Sequence, residues 1–466
     1  MKNRRVLLID LNQRPVYAKA KVRAATHFYP SLCLATLAAS CLKNGHLVRI
    51  FDMNLSENTG EKLVRILKRE SPDLVGITFT TPFFSEMKRV AQLVKKNLPS
   101  ALLVAGGAHA SFYPKETLEN SALDLVVVGE GDFALPEILS GKSLEKIKGI
   151  CFKKNGQIKK TKTRELIANL DSLPYPAWGL HDLPRYKITT FVARANPVGW
   201  METSRGCVYG CVYCCKAVFG RTFRPKSAKR VVDEIEYMLK NGFKEIHIGD
   251  DCFSYDIKRA EEICGKILAR GLKFFWSMES GLRVDCVNQK LLQKMKQAGC
   301  YRVWFGIESG SQRIIRNIKK GINLNQVRQA VKWAKKAGLE VAGFFMIALP
   351  GEKVEDIEKT IQLATNLDLD IAKMTVTIPL PATPLYDELE KQGRIKTKNW
   401  SLFNPYMPAY QLYDHDNLDW VTIEKYFSLF YRQFYLNPRF LKNRLASAIK
   451  NRTLISDIKI ALKTKW

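Results

Sequence analysis

The chain has 466 residues, of which 46% are apolar, the share of a folded globular protein rather than a disordered one. This length exceeds one ordinary hydrophobic core and predicts two or three domains. Lysine and arginine number 74 against 45 aspartate and glutamate residues, a surplus of 29 positive charges. Such a surplus leaves three partners open: nucleic acid, an anionic membrane surface or an anionic small molecule.

Targeting and membrane segments are not expected. The apolar run that follows the first basic residues stops at Asp10, which makes it too short for a signal peptide. The longest apolar stretches, such as Val341–Pro350, fall well below the roughly 20 residues that a membrane span requires. We therefore expect a cytoplasmic protein whose eleven cysteines stay reduced and available to a metal.

Strand-like and helical segments alternate through residues 1–141, the first predicted domain. The strand-like runs are Val6–Asp10, Leu47–Asp52, Leu74–Thr78, Ala101–Ala105 and Leu123–Val128. The helical patterns are Leu32–Asn44, about Glu61–Arg69, Ser85–Asn97 and a short helix that opens at Pro114. This alternation predicts a doubly wound, Rossmann-like α/β unit with a parallel sheet covered on both faces. Ligands of such sheets bind beyond the carboxyl ends of the strands.

Polar residues and glycines stand at three of these strand ends. The third strand runs into Thr78, the fourth into Gly106 and Gly107 followed by His109, and the fifth into Gly129 and Glu130. Closely spaced glycines let a bulky ligand approach the backbone. No Gly-x-Gly-x-x-Gly motif follows the first strand, which disfavours a dinucleotide.

Together these segments resemble the cobalamin-binding domain found ahead of radical S-adenosylmethionine (SAM) domains. The resemblance rests on Tyr29–Ala39, Asn44–His46, Pro72–Thr78, Gly106–Ala110 and Gly129–Gly131. It implies cobalamin bound at the strand ends, in contact with Thr78, Gly106, Gly107, His109, Gly129 and Glu130. It also implies cobalamin held without a histidine ligand. The Asp-x-His-x-x-Gly motif of other cobalamin proteins is missing from the sequence, and Asp10-Leu11-Asn12 is its nearest approach.

Residues 142–197 form the predicted linker. Asn155-Gly156 lies between two short strand-like runs and predicts a β-hairpin within residues 149–162. The irregular stretch from Leu170 to Tyr186 is rich in proline, and we expect it to pack between the domains, with His181 in a structural role.

Residues 198–393 form the second predicted domain. Its strand-like runs are Gly199–Thr203, Glu245–Gly249, Lys273–Met278, Tyr301–Gly306, Glu340–Ile347 and Ala372–Ile378. Its helical patterns are about Ala228–Asn241, Asp256–Arg270, Asn288–Ala298, Asn325–Ala337 and Val354–Asn366. Consecutive strand–helix units predict an open or partial (β/α)6 barrel with its working residues at the carboxyl ends of the strands.

Three cysteines, Cys207, Cys211 and Cys214, follow the first strand of this barrel. Thiolates suit iron–sulfur or zinc, and three ligands without a fourth leave a coordination position open. A structural zinc site, or three buried free cysteines, is the alternative. The following strand ends carry carboxylates and an arginine at Asp250-Asp251, Glu279, Arg283, Glu308-Ser309 and Gly351-Glu352. We interpret them as a site for a ligand that bears an amine and a carboxylate.

The second domain resembles the radical SAM family. Cys207, Cys211 and Cys214 match its Cys-x-x-x-Cys-x-x-Cys motif, with Tyr213 in the aromatic position. The resemblance implies that these cysteines ligate three irons of a 4Fe-4S cluster and that SAM binds the fourth. It further implies SAM contacts from Asp250 to the amino group, Arg283 to the carboxylate, Glu308 and Ser309 on the ribose side, and Gly351 near the adenine. Cys215 and Cys252 are additional cysteines that we interpret as bystanders, with Cys252 the better candidate for an unexpected function.

Residues 394–466 form a mainly helical tail. Its first part is rich in aromatic residues: Trp400, Phe403, Tyr406, Tyr410 and Tyr413. These residues either close over the barrel mouth as part of the substrate pocket or serve only in packing against the rest of the protein. A helix is predicted over Ile423–Tyr435. Pro438–Trp466 has apolar residues at helical spacing and eight basic residues against Asp457, which suits either a solvated basic face or a peripheral contact with an anionic membrane.

The domain order predicts a cobalamin-dependent radical SAM enzyme. The resemblance implies reductive cleavage of SAM to a 5′-deoxyadenosyl radical, hydrogen abstraction, and methylation of an unactivated sp3 carbon by methylcobalamin. A small molecule or lipid is the expected substrate, in lipid or natural-product biosynthesis, and flavodoxin or ferredoxin the expected reductant. No catalytic residue is assigned.

Three alternatives remain. One is a radical rearrangement or cyclisation without methyl transfer. A basic nucleic-acid-binding or cobalamin-sensing module is another, and nucleic acid is the least expected partner. A tRNA methylthiotransferase is disfavoured because no RNA-binding barrel is evident at the end of the sequence.

Overall fold

The computed structural model describes residues 3–17, 29–55, 59–189, 192–405 and 409–450. The strands of the first unit are β1 (Arg5–Asp10), β2 (Leu47–Asp52), β3 (Leu74–Thr78), β4 (Leu102–Gly106), β5 (Leu125–Val127), β6 (Ile150–Lys154) and β7 (Gln157–Lys160). Its helices are α1 (Arg14–Tyr17), α2 (Leu32–Lys43), α3 (Thr59–Glu70), α4 (Phe84–Asn97), α5 (Ala108–Phe112), α6 (Pro114–Glu119) and α7 (Ala134–Leu139).

The first sheet has the order β2-β1-β3-β4-β5-β6-β7. Neighbours from β2 through β5 pair in parallel. Alternate residues of β1 enter two different cores: Leu7 and Ile9 pack in one, and Val6 and Leu8 in the other. Both faces of the sheet are therefore covered, which confirms the predicted doubly wound fold.

The hairpin in the predicted linker belongs to this sheet. β6 pairs antiparallel with β5, and β7 pairs antiparallel with β6. Asn155 and Gly156 both take positive φ angles, 51° and 74°, as a two-residue hairpin turn requires. A boundary at residue 141 divides this continuous sheet, and we propose a first unit that extends to about residue 160.

The second unit begins at β8 (Val198–Met201), followed by β9 (Ser204–Arg205), β10 (Arg224–Pro225), β11 (Glu245–Ile248), β12 (Phe275–Leu282), β13 (Cys300–Glu308), β14 (Glu340–Ile347) and β15 (Ile371–Val376). Its helices are α8 (Ala228–Lys240), α9 (Ile257–Ala269), α10 (Gln289–Gln297), α11 (Gln312–Asn317), α12 (Leu324–Lys336), α13 (Val354–Asn366) and α14 (Pro384–Lys391).

Six strands form an open parallel sheet in the order β8-β11-β12-β13-β14-β15. Apolar residues such as Ile246, Met278 and Phe345 pack against the helices in one large core. The lumen is the opposite, inner face of the sheet, which carries residues such as His247, Trp304 and Phe344. This arrangement confirms the predicted partial barrel and places the carboxyl ends of all six strands at one edge.

The tail contacts both units. Helix α15 (Trp420–Tyr435) packs on the barrel, where the hydroxyl of Tyr431 donates to the carbonyl of Met374. Trp400 donates its indole N–H to Glu116 of the first unit at 2.6 Å. The hydroxyl of Tyr413 donates to the carbonyl of Thr377, beyond the end of β15, at 3.0 Å. The aromatic segment therefore packs on the first unit and also reaches the strand ends of the barrel.

Part of the predicted C-terminal helix is described. Helix α16 spans Pro438–Lys450. Tyr406 lies outside the described residues. The predicted apolar positions Ile455, Ile458 and Leu462, and the charged Arg452, Asp457, Lys459, Lys463 and Lys465, lie outside them as well.

A buried cluster of charges joins the two units. Arg205 on β9 binds Glu130 at 2.7 Å and Asp132 at 3.0 Å. It also binds Glu202 of its own segment at 2.7 Å. Arg224, directly opposite Arg205 in the β9–β10 ribbon, binds Glu130 at 3.0 Å. Because buried charges are stable only when they are paired, this cluster fixes the barrel against the first sheet.

We predict that Arg205→Met lowers the free energy of unfolding by about 3–5 kcal/mol, because Asp132 and Glu202 lose their arginine and Glu130 keeps only Arg224. Urea unfolding followed by tryptophan fluorescence measures this loss. The control is Lys115→Ala, which removes an ion pair whose lysine is 76% exposed and should cost less than about 1 kcal/mol. Equal effects in the two variants would contradict this role for the cluster.

Candidate active site

The cysteine loop is closed by the β9–β10 ribbon. The ribbon pairs Ser204–Arg205 with Arg224–Pro225, so the two ends of the loop between them lie side by side. Gly206, which enters the loop, has a φ of +85°, and a Cβ there would lie 2.2 Å from the carbonyl oxygen of Thr222. Only glycine fits this position. The ribbon therefore fixes the backbone immediately before Cys207.

The thiols of this loop lie in a positively charged environment. A hydrogen bond with Cys252 lowers the pKa of the Cys207 thiol to about 5. A hydrogen bond with Cys214 lowers the pKa of the Cys211 thiol to about 6, and Lys320 and Arg283 contribute to this shift. The same bond raises the pKa of Cys214. Two of the three cysteines thus favour the thiolate, which is the form that binds metals.

The donor set fits a thiolate-bound cluster. Cys207 and Cys211 are buried, and Cys214 is half-buried. Within the described ranges, no three His, Cys, Asp or Glu side chains are arranged to hold a single metal ion. In a cluster each cysteine binds a different iron, so the three thiols need not converge on one point.

Asp250 supports the backbone that leads into the loop. Its carboxylate accepts hydrogen bonds from the amide and the hydroxyl of Thr203, both at 2.5 Å, and from the hydroxyl of Ser204 at 2.6 Å. The predicted contact with the SAM amino group competes with these three donors. The neighbouring Asp251 is exposed.

Arg283 and Glu308 lie close to the cysteine loop. Arg283 stacks over the ring of Tyr209 at 3.4 Å and donates to the carbonyl of Lys320 at 2.8 Å. The ammonium of Lys320 binds Glu308 at 2.7 Å. Both cations act electrostatically on Cys211. The structure therefore gathers the predicted Arg283 and Glu308 around Lys320, which sequence reasoning missed because it lies in a turn rather than at a strand end.

Ser309 and Gly351 make polar contacts with Thr360 and Asp416. The Ser309 hydroxyl is 3.1 Å from the hydroxyl of Thr360 and is fully buried. The amide of Gly351 donates to Asp416 of the tail at 2.8 Å. Neither contact is with the cysteine loop.

The edge of the first sheet presents open backbone. Gly107 has a φ of +103°, and a Cβ there would lie 2.4 Å from the carbonyl oxygen of Phe79. Gly129 has a φ of +85°, and the position of its missing Cβ is empty to 4 Å. Thr78 and Gly106 end neighbouring strands at the same edge. Glycines at this edge allow a large flat ligand, such as the corrin of cobalamin, to approach the backbone closely.

Two predicted contacts at this edge have other partners. His109 is fully buried beside Phe84 and Trp400, and burial lowers its pKa to about 4. Its Nε2 has no hydrogen-bond partner among the described residues. Glu130 belongs to the ion cluster with Arg205 and Arg224. His109 thus packs among aromatic rings, and Glu130 belongs to the ion pairs between the two units.

The lumen of the barrel is polar, which sequence reasoning also missed. The hydroxyl of Tyr29 lies 2.9 Å from Nδ1 of His247, and Nε2 of His247 lies 2.7 Å from Glu245. Two backbone amides and the hydroxyl of Tyr301 also donate to Glu245. The alternation of polar and apolar residues in Glu245–Ile248 indicates one polar face of this strand and could have been read from the sequence.

An aromatic pair lies on the same inner face, nearer the carboxyl ends of the strands than His247. Trp304 stacks on Phe344 at 4.4 Å between ring centroids. The buried indole N–H of Trp304 has no hydrogen-bond partner within the part of the chain that the structure describes. The lumen therefore offers both stacking and hydrogen-bonding groups.

Two family models match the chain. The radical SAM superfamily model matches residues 201–364, and the B12-binding domain model matches residues 19–139. The first contains the cysteine loop, and the second contains the open edge of the first sheet.

Characterised and uncharacterised relatives cover most of the chain. An uncharacterised methyltransferase of Pyrococcus horikoshii is 37% identical over 419 residues, 88% of this chain and 89% of the relative. The cytidylyl-2-hydroxyethylphosphonate methyltransferase of Streptomyces wedmorensis is 29% identical over 78% of each chain. The anaerobic magnesium-protoporphyrin IX monomethyl ester cyclase of Cereibacter sphaeroides is 26% identical over 93% of this chain and 72% of the cyclase.

A solved structure shares the fold. The radical SAM methyltransferase TsrM of Kitasatospora setae, with cobalamin and a [4Fe-4S] cluster bound, superposes with a TM-score of 0.69. It is 19% identical, and the match covers 84% of this chain and 75% of TsrM. From the two family models and the extent of its identity to a methyltransferase, the chain belongs to the cobalamin-binding radical SAM methyltransferase-like family, with a 4Fe-4S cluster, SAM and cobalamin as cofactors.

Proposed function

We propose that this enzyme methylates an unactivated sp3 carbon of a small molecule or lipid, in lipid or natural-product biosynthesis. The observation that carries the proposal is the ion cluster around Arg205, which holds the cysteine loop against the open edge of the cobalamin-type sheet. When bound, SAM at the cluster supplies a hydrogen-abstracting radical, and cobalamin supplies the methyl group. Residues 198–393 would hold the 4Fe-4S cluster and SAM. Residues up to about 160 would hold cobalamin. The aromatic tail from residue 394 would border the substrate.

The contacts around the cysteine loop and the first sheet support a proposed set of site residues. Cys207, Cys211 and Cys214 ligate the cluster, and Lys320 and Arg283 offset its negative charge. Arg283 and Glu308 are the proposed SAM contacts, whereas Ser309 and Gly351 support the loops around them. Thr78, Gly106, Gly107 and Gly129 form the proposed cobalamin edge. A low-potential reductant such as flavodoxin or ferredoxin supplies the electron.

The lumen favours a substrate with polar groups. Tyr29 comes from the first unit and reaches His247 of the barrel, so it lies where the two units meet. Its hydroxyl and the Trp304 indole N–H are suited to hold a hydroxyl, amine or carbonyl group of the substrate beside the reacting carbon.

Anaerobic turnover with SAM carrying a deuterated methyl group tests the proposal. We expect 5′-deoxyadenosine to form and a trideuteromethyl group to appear in a product made from the small-molecule and lipid extract of the source organism. The matched control replaces Cys207, Cys211 and Cys214 by alanine, and it should lose iron and 5′-deoxyadenosine formation together. Formation of 5′-deoxyadenosine with no labelled product would contradict methylation.

A second candidate is a radical rearrangement or cyclisation without methyl transfer. The 26% identical relative named as a cyclase favours it. The labelled-methyl experiment separates the two enzymes, because a cyclase consumes substrate without incorporating deuterium. A nucleic-acid-binding or cobalamin-sensing module would keep its affinity in the triple alanine variant.

We propose that Asp250 holds the cysteine loop rather than SAM. Asp250→Asn replaces an acceptor of three hydrogen bonds by a group that cannot accept all of them. It should destabilise the loop by about 1.5–3 kcal/mol and lose most of the bound iron, measured after anaerobic reconstitution and desalting. Asp251→Asn is the matched control and should keep its iron. If Asp250→Asn keeps its iron and loses only SAM affinity, the carboxylate contacts SAM instead.

We also propose that helix α16 contacts the cytoplasmic leaflet of an anionic membrane. No helix in the described ranges is long and apolar enough to cross a bilayer. Leu441 and Leu445, one helical turn apart, are 50% and 52% exposed, beside the exposed Arg439 and Lys442. Apolar residues flanked by basic ones suit the interface of an anionic bilayer.

Sedimentation with vesicles tests this contact. Binding should rise when phosphatidylglycerol replaces part of the phosphatidylcholine, and Leu441→Ser with Leu445→Ser should weaken the partition coefficient about tenfold. Val421→Ser is the control, since Val421 is 81% exposed at the start of α15, on a different helix. Binding that depends neither on vesicle charge nor on the leucine substitutions would contradict the proposal.

A further inference from the structure

Glu279 lies within the lumen rather than at the strand end where the sequence places it. Strand β12 continues to Leu282, so Glu279 lies three residues before the end of the strand. Trp276 and Met278 pack in the outer core, so Ser277 and Glu279 belong to the inner face by alternation. The hydroxyl of Ser277 donates to the carboxylate of Glu279 at 2.7 Å. One carboxylate oxygen therefore lies beside the preceding residue of the inner face.

Indole rings neighbour Glu279 on both sides in the sheet. On one side, a bulge in β12 sets residues 279–281 opposite Trp304 alone. On the other side, the register of β11 places Gly249 next to Glu279. A Cβ on Gly249 would lie 1.8 Å from Nε1 of Trp200, so the indole of Trp200 covers this glycine. Bulges of this kind are frequent next to active sites, where they re-aim a side chain.

The carboxylate of Glu279 has unused hydrogen-bonding capacity. Other acidic residues of the same sheet are paired, since Glu308 binds Lys320 and Glu340 binds Arg302. Within the described ranges a single hydroxyl donates to Glu279, and no lysine or arginine pairs with it. An ionised carboxylate can accept about four hydrogen bonds. Glu279 is therefore suited to receive a cation from a bound molecule.

The space beside Glu279 is open to such a molecule. Trp200, Glu279 and Phe344 are half-buried, whereas the outer face of the sheet is closed by helices. A lysine of the inner face, Lys373, stands on β15, three strands away from β12. This separation is about 14 Å at the usual spacing of strands, which leaves the surroundings of Glu279 to a ligand.

We propose that Glu279 binds a primary or secondary ammonium group of the substrate between the indoles of Trp200 and Trp304. This inference rests on the proposed function and names the substrate class of the same site. An ammonium group donates charge-assisted hydrogen bonds to a carboxylate and is attracted to the faces of indole rings. The buried N–H of Trp304, which has no partner among the described residues, donates to an oxygen of the same molecule. The substrate is thus a small-molecule amine that also carries a hydroxyl or carbonyl group.

Fractionation of the extract of the source organism tests the substrate class. A cation-exchange resin at about pH 3 retains amines, whereas neutral and acidic compounds pass through it. The reconstituted full-length enzyme, with cobalamin and SAM carrying a deuterated methyl group, is then given each fraction. We expect the retained fraction alone to stimulate formation of 5′-deoxyadenosine. Acetylation of the retained amines removes their charge and should abolish the stimulation.

Variants measured with the compound purified from the retained fraction test the residues. Glu279→Gln keeps the shape of the side chain without its charge, and the ratio of the KM for this compound to the KM for SAM should rise about 30-fold. Trp304→Phe keeps an aromatic ring without the N–H, and the same ratio should rise about fivefold. Glu262→Gln is the matched control, because Glu262 on α9 is 58% exposed, and its ratio should equal that of the parent.

Stimulation by the unretained fraction, stimulation by neither fraction, or stimulation that survives acetylation would overturn the inference. An unchanged ratio in Glu279→Gln would overturn it as well, and a rise in the KM for SAM alone would assign this carboxylate to SAM instead. If Glu279→Gln retains no iron, Trp304→Phe decides: a raised ratio supports amine binding beside the indoles, and an unchanged ratio overturns it. Stimulation by the retained fraction without a trideuteromethyl product would contradict methylation and leave amine binding supported.

Discussion

The guanidinium of Arg205 stands two residues before Cys207 and binds Glu130 and Asp132, which follow the last parallel strand of the first sheet. A buried arginine without its carboxylates would be strongly destabilising, so the cysteine loop has one stable position against that sheet. Arg224, at the other end of the same loop, also binds Glu130 and so holds that end of the loop against the first sheet. The distance between the proposed cobalamin edge and the proposed cluster is therefore set by buried ion pairs rather than by the linker.

A second set of charges prepares the cysteine loop itself. Arg283 and Lys320 lie beside Cys211, and the Asp250 carboxylate holds the turn that enters the loop. Cations near thiols favour the thiolate, whereas the Asp250 carboxylate accepts hydrogen bonds from an amide and two hydroxyls. This separation of charges explains how acidic residues and thiolates can occupy neighbouring strand ends. It also leaves the polar lumen, with Tyr29 at the junction of the units, for the substrate.

The elements of the fold could largely be predicted from the sequence because apolar periodicity is local. Leu47–Asp52, Leu74–Thr78 and Val354–Asn366 have the predicted bounds. The roles of strand-end side chains could not be predicted in the same way. Glu130 is paired with Arg205, 75 residues further along the chain. A partner so far away in the sequence produces no local sequence pattern around Glu130. The enclosure of His109 by Trp400 of the tail is likewise a tertiary contact. The cysteine motif could be recognised from the sequence because its three cysteines lie within eight residues of one another.

We propose that the chain holds the cluster and cobalamin facing each other across the Arg205 ion pairs. Anomalous X-ray diffraction at the iron and cobalt absorption edges, on crystals of the reconstituted enzyme with cobalamin, tests it most directly. We expect iron at Cys207, Cys211 and Cys214, and cobalt at the sheet edge formed by Thr78, Gly107 and Gly129, on the side that faces the cysteine loop. Cobalt bound elsewhere on the first unit, or iron held by other cysteines, would contradict it.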